Sequence, residues 1–174
     1  KPPAQGPRTS NVQAKGKNRS HKKNAGDGSH KIGIVAAEIA VFSKEGPFVM
    51  VMVAKNDKGE NVYFAGALPD KTKESIAQMV MEGMLQLEML YNLQPLKRVH
   101  SDQESGLTAA KREIQIETGA IVTASTAHDP QSNGWGEAAI RKITQTARCS
   151  LAAIACGTTR KQLWSDAMVH AAFQ

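Results

Sequence analysis

The sequence predicts an α/β fold in which a five-stranded mixed sheet carries helices on both faces. Two patterns carry that expectation: three apolar runs joined by short turns, and then strands that alternate with amphipathic helices. A change of texture at Ile32 further divides the 174-residue chain into a basic arm over 1–31 and a single domain over 32–174.

Residues 32–42 (IGIVAAEIAVF) are an almost unbroken apolar run interrupted by one acid, Glu38, as expected of a strand buried on both faces. That strand should occupy the centre of the sheet, with 48–54 on one side and 96–100 on the other. A turn at Ser43–Gly46 leads into FVMVMVA (48–54), and NDKG (56–59) supplies a hairpin turn before NVYFAGA (61–67), which makes an antiparallel meander. From Lys71 to Tyr91 the residues Ile76, Met79, Val80, Gly83, Met84, Leu87 and Tyr91 recur at helical spacing, so a long amphipathic helix buries its methionine stripe. LKRVH (96–100) reads as a short strand. Leu107–Glu117 reads as a helix ended by Gly119, and AIVTAS (120–125) as the fifth strand. Helical periodicity returns over 134–155, and a last helix is expected over 160–172.

Charge is unevenly placed. The arm holds eight Lys or Arg against one acid, Asp27, so it carries +7 where the whole chain carries +6, and the domain is left near neutral at −1. Such an arm suits a polyanion, and Lys15, Lys17, Arg19, Lys22 and Lys23 are its candidate nucleic-acid contacts. Too few apolar side chains lie in it to offset the entropy of ordering, so it is expected to be disordered.

Cys149 and Cys156 stand two helical turns apart, about 10 Å, too far for a disulfide, and read as core thiols in a reducing compartment. With no apolar run of membrane-spanning length and no signal peptide, the expected setting is soluble and intracellular, nuclear or cytoplasmic, without a membrane partner. The polar start without Met suggests a piece of a longer polypeptide.

Two acids stand where chemistry is commonly placed. Asp102 follows the strand at 96–100 at its carboxyl end, where open α/β sheets bind ligands, although an Asp there also suits a turn. Glu137 lies in HDPQSNGWGEAAIRKI (128–143). Pro130 excludes helix before it, Ser132 and Asn133 can cap, and Glu137 falls in the first turn, where an acid gains from the helix dipole with or without a function.

In combination these pieces resemble the catalytic core of copia-type and related long-terminal-repeat retrotransposon integrases. His100-Ser101-Asp102 matches a strand-end Ser-Asp, and Pro130-Gln131-Ser132-Asn133-Gly134-Trp135-Gly136-Glu137 matches the PQxNGxxE element that follows about 35 residues later. Ala147-Arg148, LWSDAMVHAAF (163–173) and KNDKGENVYFAGALPDKTKES (55–75) extend the likeness over about four-fifths of the chain.

The resemblance implies a ribonuclease-H-like fold and a polynucleotidyl transferase that trims DNA ends and joins them to a target duplex. It implies a homo-oligomer as well, and two Mg²⁺ (or Mn²⁺) ions held by three carboxylates. Asp102 and Glu137 are two of those catalytic and metal-ligating acids. For the third, which the family supplies as an Asp on the first strand, this chain offers Glu38, followed by Ile39, Ala40, Val41 and Phe42 where the family has small residues, Gly and Pro. The extra methylene predicts impaired catalysis. Asp57 is the nearest alternative acid, but NDKG already accounts for it as a hairpin.

On the helix after Glu137, Arg141, Thr144 and Arg148 share the acid's side, with Lys142 adjacent, and are the candidate contacts to DNA phosphates; a surface pair between Glu137 and Arg141 is the plainer alternative. His100 and His128 flank the acids. Gln103-Glu104-Ser105-Gly106-Leu107 departs from the family pattern, and the arm lacks the cysteines of the family's zinc module. Both departures favour the alternative function, a decayed or domesticated ribonuclease-H-like domain that binds nucleic acid without chemistry.

Overall fold

The apolar run after Gly33 becomes strand β1 (Ile34–Val41), and in the computed structural model it lies at the centre of the sheet. Residues 32–101, 105–125, 134–154 and 157–174 are described. β1 pairs antiparallel with β2 (Phe48–Lys55), which pairs antiparallel with β3 (Asn61–Leu68). On its other side β1 pairs parallel with β4 (Arg98–Ser101), and β4 parallel with β5 (Ile121–Ala124). The strand order β3-β2-β1-β4-β5 gives the expected mixed sheet of five strands with the expected flanks to its central strand.

Two-residue alternation sorts the side chains of the central strands into two cores. Val35, Ala37 and Ile39 of β1, with Met50 and Met52 of β2, face α1 (Lys73–Tyr91) and α2 (Ser105–Thr118). Ala36 of β1, with Val49, Val51 and Val53 of β2, faces α3 (Gly134–Ala152) and α5 (Trp164–Ala172). The valines and methionines of β2 are fully buried, each contributing roughly 1.5–3 kcal/mol.

The turns follow from their side chains. Ser43 Oγ donates to the Gly46 carbonyl at 2.8 Å, and the Gly46 N–H returns to the Ser43 carbonyl at 3.0 Å. In the second hairpin Asn56 Oδ1 accepts from the N–H groups of Lys58 and Glu60 at 3.0 and 2.9 Å, and Gly59 takes the left-handed φ of 78° that the turn needs. Asp57 sits exposed at this tip, in a role the hairpin explains.

Helix α1 begins at an N-cap, Thr72, whose hydroxyl accepts from the Ser75 N–H at 3.3 Å. Ile76, Ala77, Val80, Gly83, Met84 and Leu87 are its buried residues, so the predicted stripe is the packed face. Met79 and Tyr91 pack against it partly buried. Helix α2 starts at Ser105, two residues before its expected start, because Gly106 lets the chain close onto Ile76 of α1; it stops at Gly119, with φ 69°, as expected.

Two expectations are corrected. The last helix is two helices, α4 (Gly157–Gln162) and α5, separated at Leu163. The sequence of α4, GTTRKQ, has no apolar face to dock; it is held instead by Arg160, which donates to the carbonyls of Ile154 and Ala152 near the end of α3. The break leaves Trp164 free to turn into the core, where it is 1% exposed. Cys149 is exposed, not a core thiol, because it lies about 200° around α3 from buried Ala147. Cys156 falls outside the described residues, as does the whole arm over 1–31.

Candidate active site

Glu38 is positioned by the pleat of β1. Lying between Ala36 and Ala40, it projects to the face covered by α3, whereas Ala37 and Ile39 go to the opposite core. A carboxylate in the centre of the sheet is costly unless it reaches water, and Glu38 is half-buried, at the floor of an opening. Glu137 comes from the first turn of α3, which Gly136, Ala139, Ile140 and Ile143 bury against the sheet. At the helix N-terminus the carboxylate is favoured by the macrodipole.

The two acids line one depression of about 610 Å³, together with Ile140, Arg141, Thr144, Gln145 and Arg148. From Glu137 onward the helical lining residues recur at steps of three and four, the spacing of one helical face. Arg141 and Arg148 are exposed, and no ion pair joins Glu137 to Arg141, so the surface-pair alternative is not realised. Two anionic groups from the sheet and helix start thus stand in one hollow with two guanidinium groups farther along α3. Such a surface can hold a hard cation at one end and polyanionic phosphates at the other.

The remaining predicted residues fall elsewhere. Asp102 lies outside the described residues. Its neighbour Ser101 is 2% exposed at the end of β4 and pairs with Ala37, the residue before Glu38. Among the described residues no group of three or more His, Cys, Asp or Glu side chains converges on a common point, so two carboxylates are what these residues offer a metal. His100 hydrogen bonds through Nδ1 with Thr123 Oγ1 at 2.9 Å and through Nε2 with Ser125 Oγ at 3.2 Å. It ties β4 to the β5 end and does not line the depression. Lys142 is exposed on α3 beside the depression without lining it. His128, Lys15, Lys17, Arg19, Lys22 and Lys23 fall outside the described residues.

Gln145 was not singled out by the sequence, yet it lines the depression. Its signal was the helical period, which places position 145 one turn after Arg141.

No protein-family model matches the chain, and no curated protein matches it. Among solved structures, the crystal structure of the catalytic core domain of BIV integrase is similar, with a TM-score of 0.50 and 22% sequence identity over 82% of this chain and 82% of that one. At that identity the likeness is one of fold: the chain has the α/β, ribonuclease-H-like fold of an integrase catalytic core.

Proposed function

We propose that this chain is an integrase-type catalytic core of the copia-like, long-terminal-repeat branch, which binds DNA ends and joins them to a target duplex by phosphoryl transfer. The observation that carries this reading is the shared depression of Glu38 and Glu137, reached from the central strand and from the first turn of α3, with Arg141 and Arg148 beyond them. Asp102 is proposed as the third acid, since β4 ends at Ser101, which pairs with Ala37, the residue before Glu38.

The residues divide the work by their chemistry. Carboxylate oxygens of Glu38, Asp102 and Glu137 suit Mg²⁺ or Mn²⁺, which when bound supplies Lewis acidity toward a phosphodiester and its attacking hydroxyl. Arg141 and Arg148 neutralise backbone phosphates and fix the register of the strand. The Gln145 side-chain amide N–H can donate to a sugar or phosphate oxygen. The Thr144 hydroxyl already donates to the Ile140 carbonyl at 3.0 Å, so Thr144 shapes the wall. The additional methylene of Glu38 relative to Asp displaces its oxygens, and a misplacement of about 1 Å costs on the order of a hundredfold in rate.

The test is joining of a short labelled duplex to a second duplex, with and without Mg²⁺. Metal-dependent joined product that vanishes in Glu137→Gln is expected. Duplex binding without joined product, in wild type and in Glu38→Asp alike, would replace this reading by that of a nucleic-acid-binding domain without chemistry.

A further inference from the structure

The turn of α3 that carries Glu137 is built from weak material. It reads Gly134-Trp135-Gly136-Glu137, so its only apolar side chain is that of Trp135. A glycine adds no side chain to the packing and loses more backbone freedom on entering a helix than other residues do. The far end of α3 is seated by other means. Leu151 is buried there, and Phe42 leans on Trp164 with ring centroids 5.6 Å apart, beside a cavity of about 250 Å³ that Arg148 and Leu151 also line. At the near end the indole of Trp135 has to do this alone.

That indole is held from two directions. It packs, half-buried, against the core on the α3 side of the sheet. Over its ring stands the Lys55 ammonium, 5.9 Å from the centroid, and Lys55 Nζ is itself fixed by donating to the Gly59 carbonyl at 2.7 Å. The β2–β3 hairpin, whose turn Asn56 organises, thus reaches the start of α3 through one lysine and one indole. At about 100° per residue, Trp135 and Glu137 project from opposite flanks of the helix, roughly 200° apart. A roll of the first turn that lifts Trp135 from the sheet therefore turns Glu137 relative to Glu38 across the depression.

We infer that Trp135, steadied by Lys55, is a positioning residue for Glu137: it fixes the roll of a glycine-flanked turn and so sets the separation of the two carboxylates that face a divalent cation. The inference rests on the metal-binding reading of the depression given above. Neither Trp135 nor Lys55 lines the depression, so both act through Glu137. The sign of the Lys55 effect separates this role from plain electrostatics. Removing a positive charge near a metal site strengthens cation binding, because like charges repel. Removing a group that steadies a ligand weakens it.

The test is titration of the full chain with Mn²⁺, followed by the electron paramagnetic resonance signal of the free ion. Trp135→Leu, which keeps an apolar side chain on the sheet, is expected to weaken binding about tenfold, the low end of the loss seen when a group that orients a metal ligand is removed. Trp135→Phe, which keeps an aromatic face for Lys55, should stay within about threefold of wild type. Lys55→Met should weaken binding about threefold, the size of one partly exposed cation–π contact, and should add nothing in the Trp135→Leu background, because the two act as one unit. Affinity unchanged in Trp135→Leu, raised in Lys55→Met, or lowered by Lys55→Met as much without Trp135 as with it, overturns the inference. Should Trp135→Leu fail to fold, the direction of the Lys55→Met change still decides. Glu137→Gln is the reference: binding lost there but kept in Trp135→Leu leaves the metal site standing and removes Trp135 alone. If wild type binds no Mn²⁺, or Glu137→Gln binds it equally well, the metal-binding reading falls and this inference with it.

Discussion

Glu38 and Glu137 are 99 positions apart in the chain and line the same depression. They meet because β1 is the central strand and α3 packs across its face with Glu137 at the helix start, beside the strand's single acid. Under the proposed reaction Glu38→Asp is expected to raise Mg²⁺-dependent joining, because it restores the shorter ligand, and Glu137→Gln to abolish it by removing a charged one. Duplex binding, followed by a fluorescence-anisotropy titration, should persist in both variants. If Glu137→Gln joins DNA as well as wild type, the site is wrongly placed.

A second expectation concerns the seat of α1 on the sheet. A Cβ at Gly83 would lie 2.7 Å from Phe64 Cδ1 and would also collide with Met52 Sδ, both within the same core. Gly83→Ala gains about 1 kcal/mol of helix propensity but overpacks a filled contact, at about 1–3 kcal/mol. Overpacking wins where the neighbour is a buried ring, so the urea midpoint should fall. A midpoint that rises would show that α1 can ride outward without loss.

Helices α1 and α2 are joined at the surface by Lys73 and Glu113, with Nζ to Oε1 at 2.8 Å. The hydrogen bond from Lys73 holds the Glu113 carboxyl below its ordinary value, and Glu113 holds the Lys73 ammonium above its own. Glu113's contribution is therefore complete above the ordinary carboxylate range, near pH 4, and fades as the pH falls through its depressed value. That of Lys73 is complete below about pH 10 and fades as the pH rises through its raised value. The difference in denaturation midpoint between wild type and Glu113→Gln should be small and flat between about pH 5 and 10, and should shrink on either side. A difference that grows at low pH would contradict the pairing.

The arm over 1–31 is proposed to add affinity without sequence preference, through its eight cations. Deleting it should weaken DNA binding and flatten the dependence on salt, by a slope of up to about 0.9 for each phosphate that the arm no longer neutralises. Competition between duplexes of different sequence should give the same ranking before and after truncation. An unchanged salt slope would mean that the arm is only a solvated linker.

The order of strands and helices was legible in the sequence because each depends on a short-range pattern: the doubly buried run around Glu38, the Asn-Asp-Lys-Gly hairpin, and the helical spacing from Ile76 to Tyr91. Likewise Arg141, Thr144 and Arg148 could be grouped with Glu137, since the helical period alone sets them on one face. Periodicity is silent about breaks that depend on partners. It ran 160–172 together as one helix, although α4 has no apolar face and Arg160 secures it to the end of α3 while Trp164 turns inward. It also put Cys149 in the core, where a moderately apolar residue type is common, although the packed stripe of α3 is already filled by Ile143, Ala147 and Leu151.

By itself, then, the sequence determined which segments pair and which faces are buried, because backbone geometry turns a local pattern of apolar residues into a strand or a helix face. The tertiary structure decided what meets across long separations: Glu38 with Glu137, Phe42 with Trp164, and one arginine, Arg148, between two cavities. Those meetings follow from the packing of α3 and α5 over the central strands, and close packing is settled by the shapes of side chains distant in sequence, which no local period encodes.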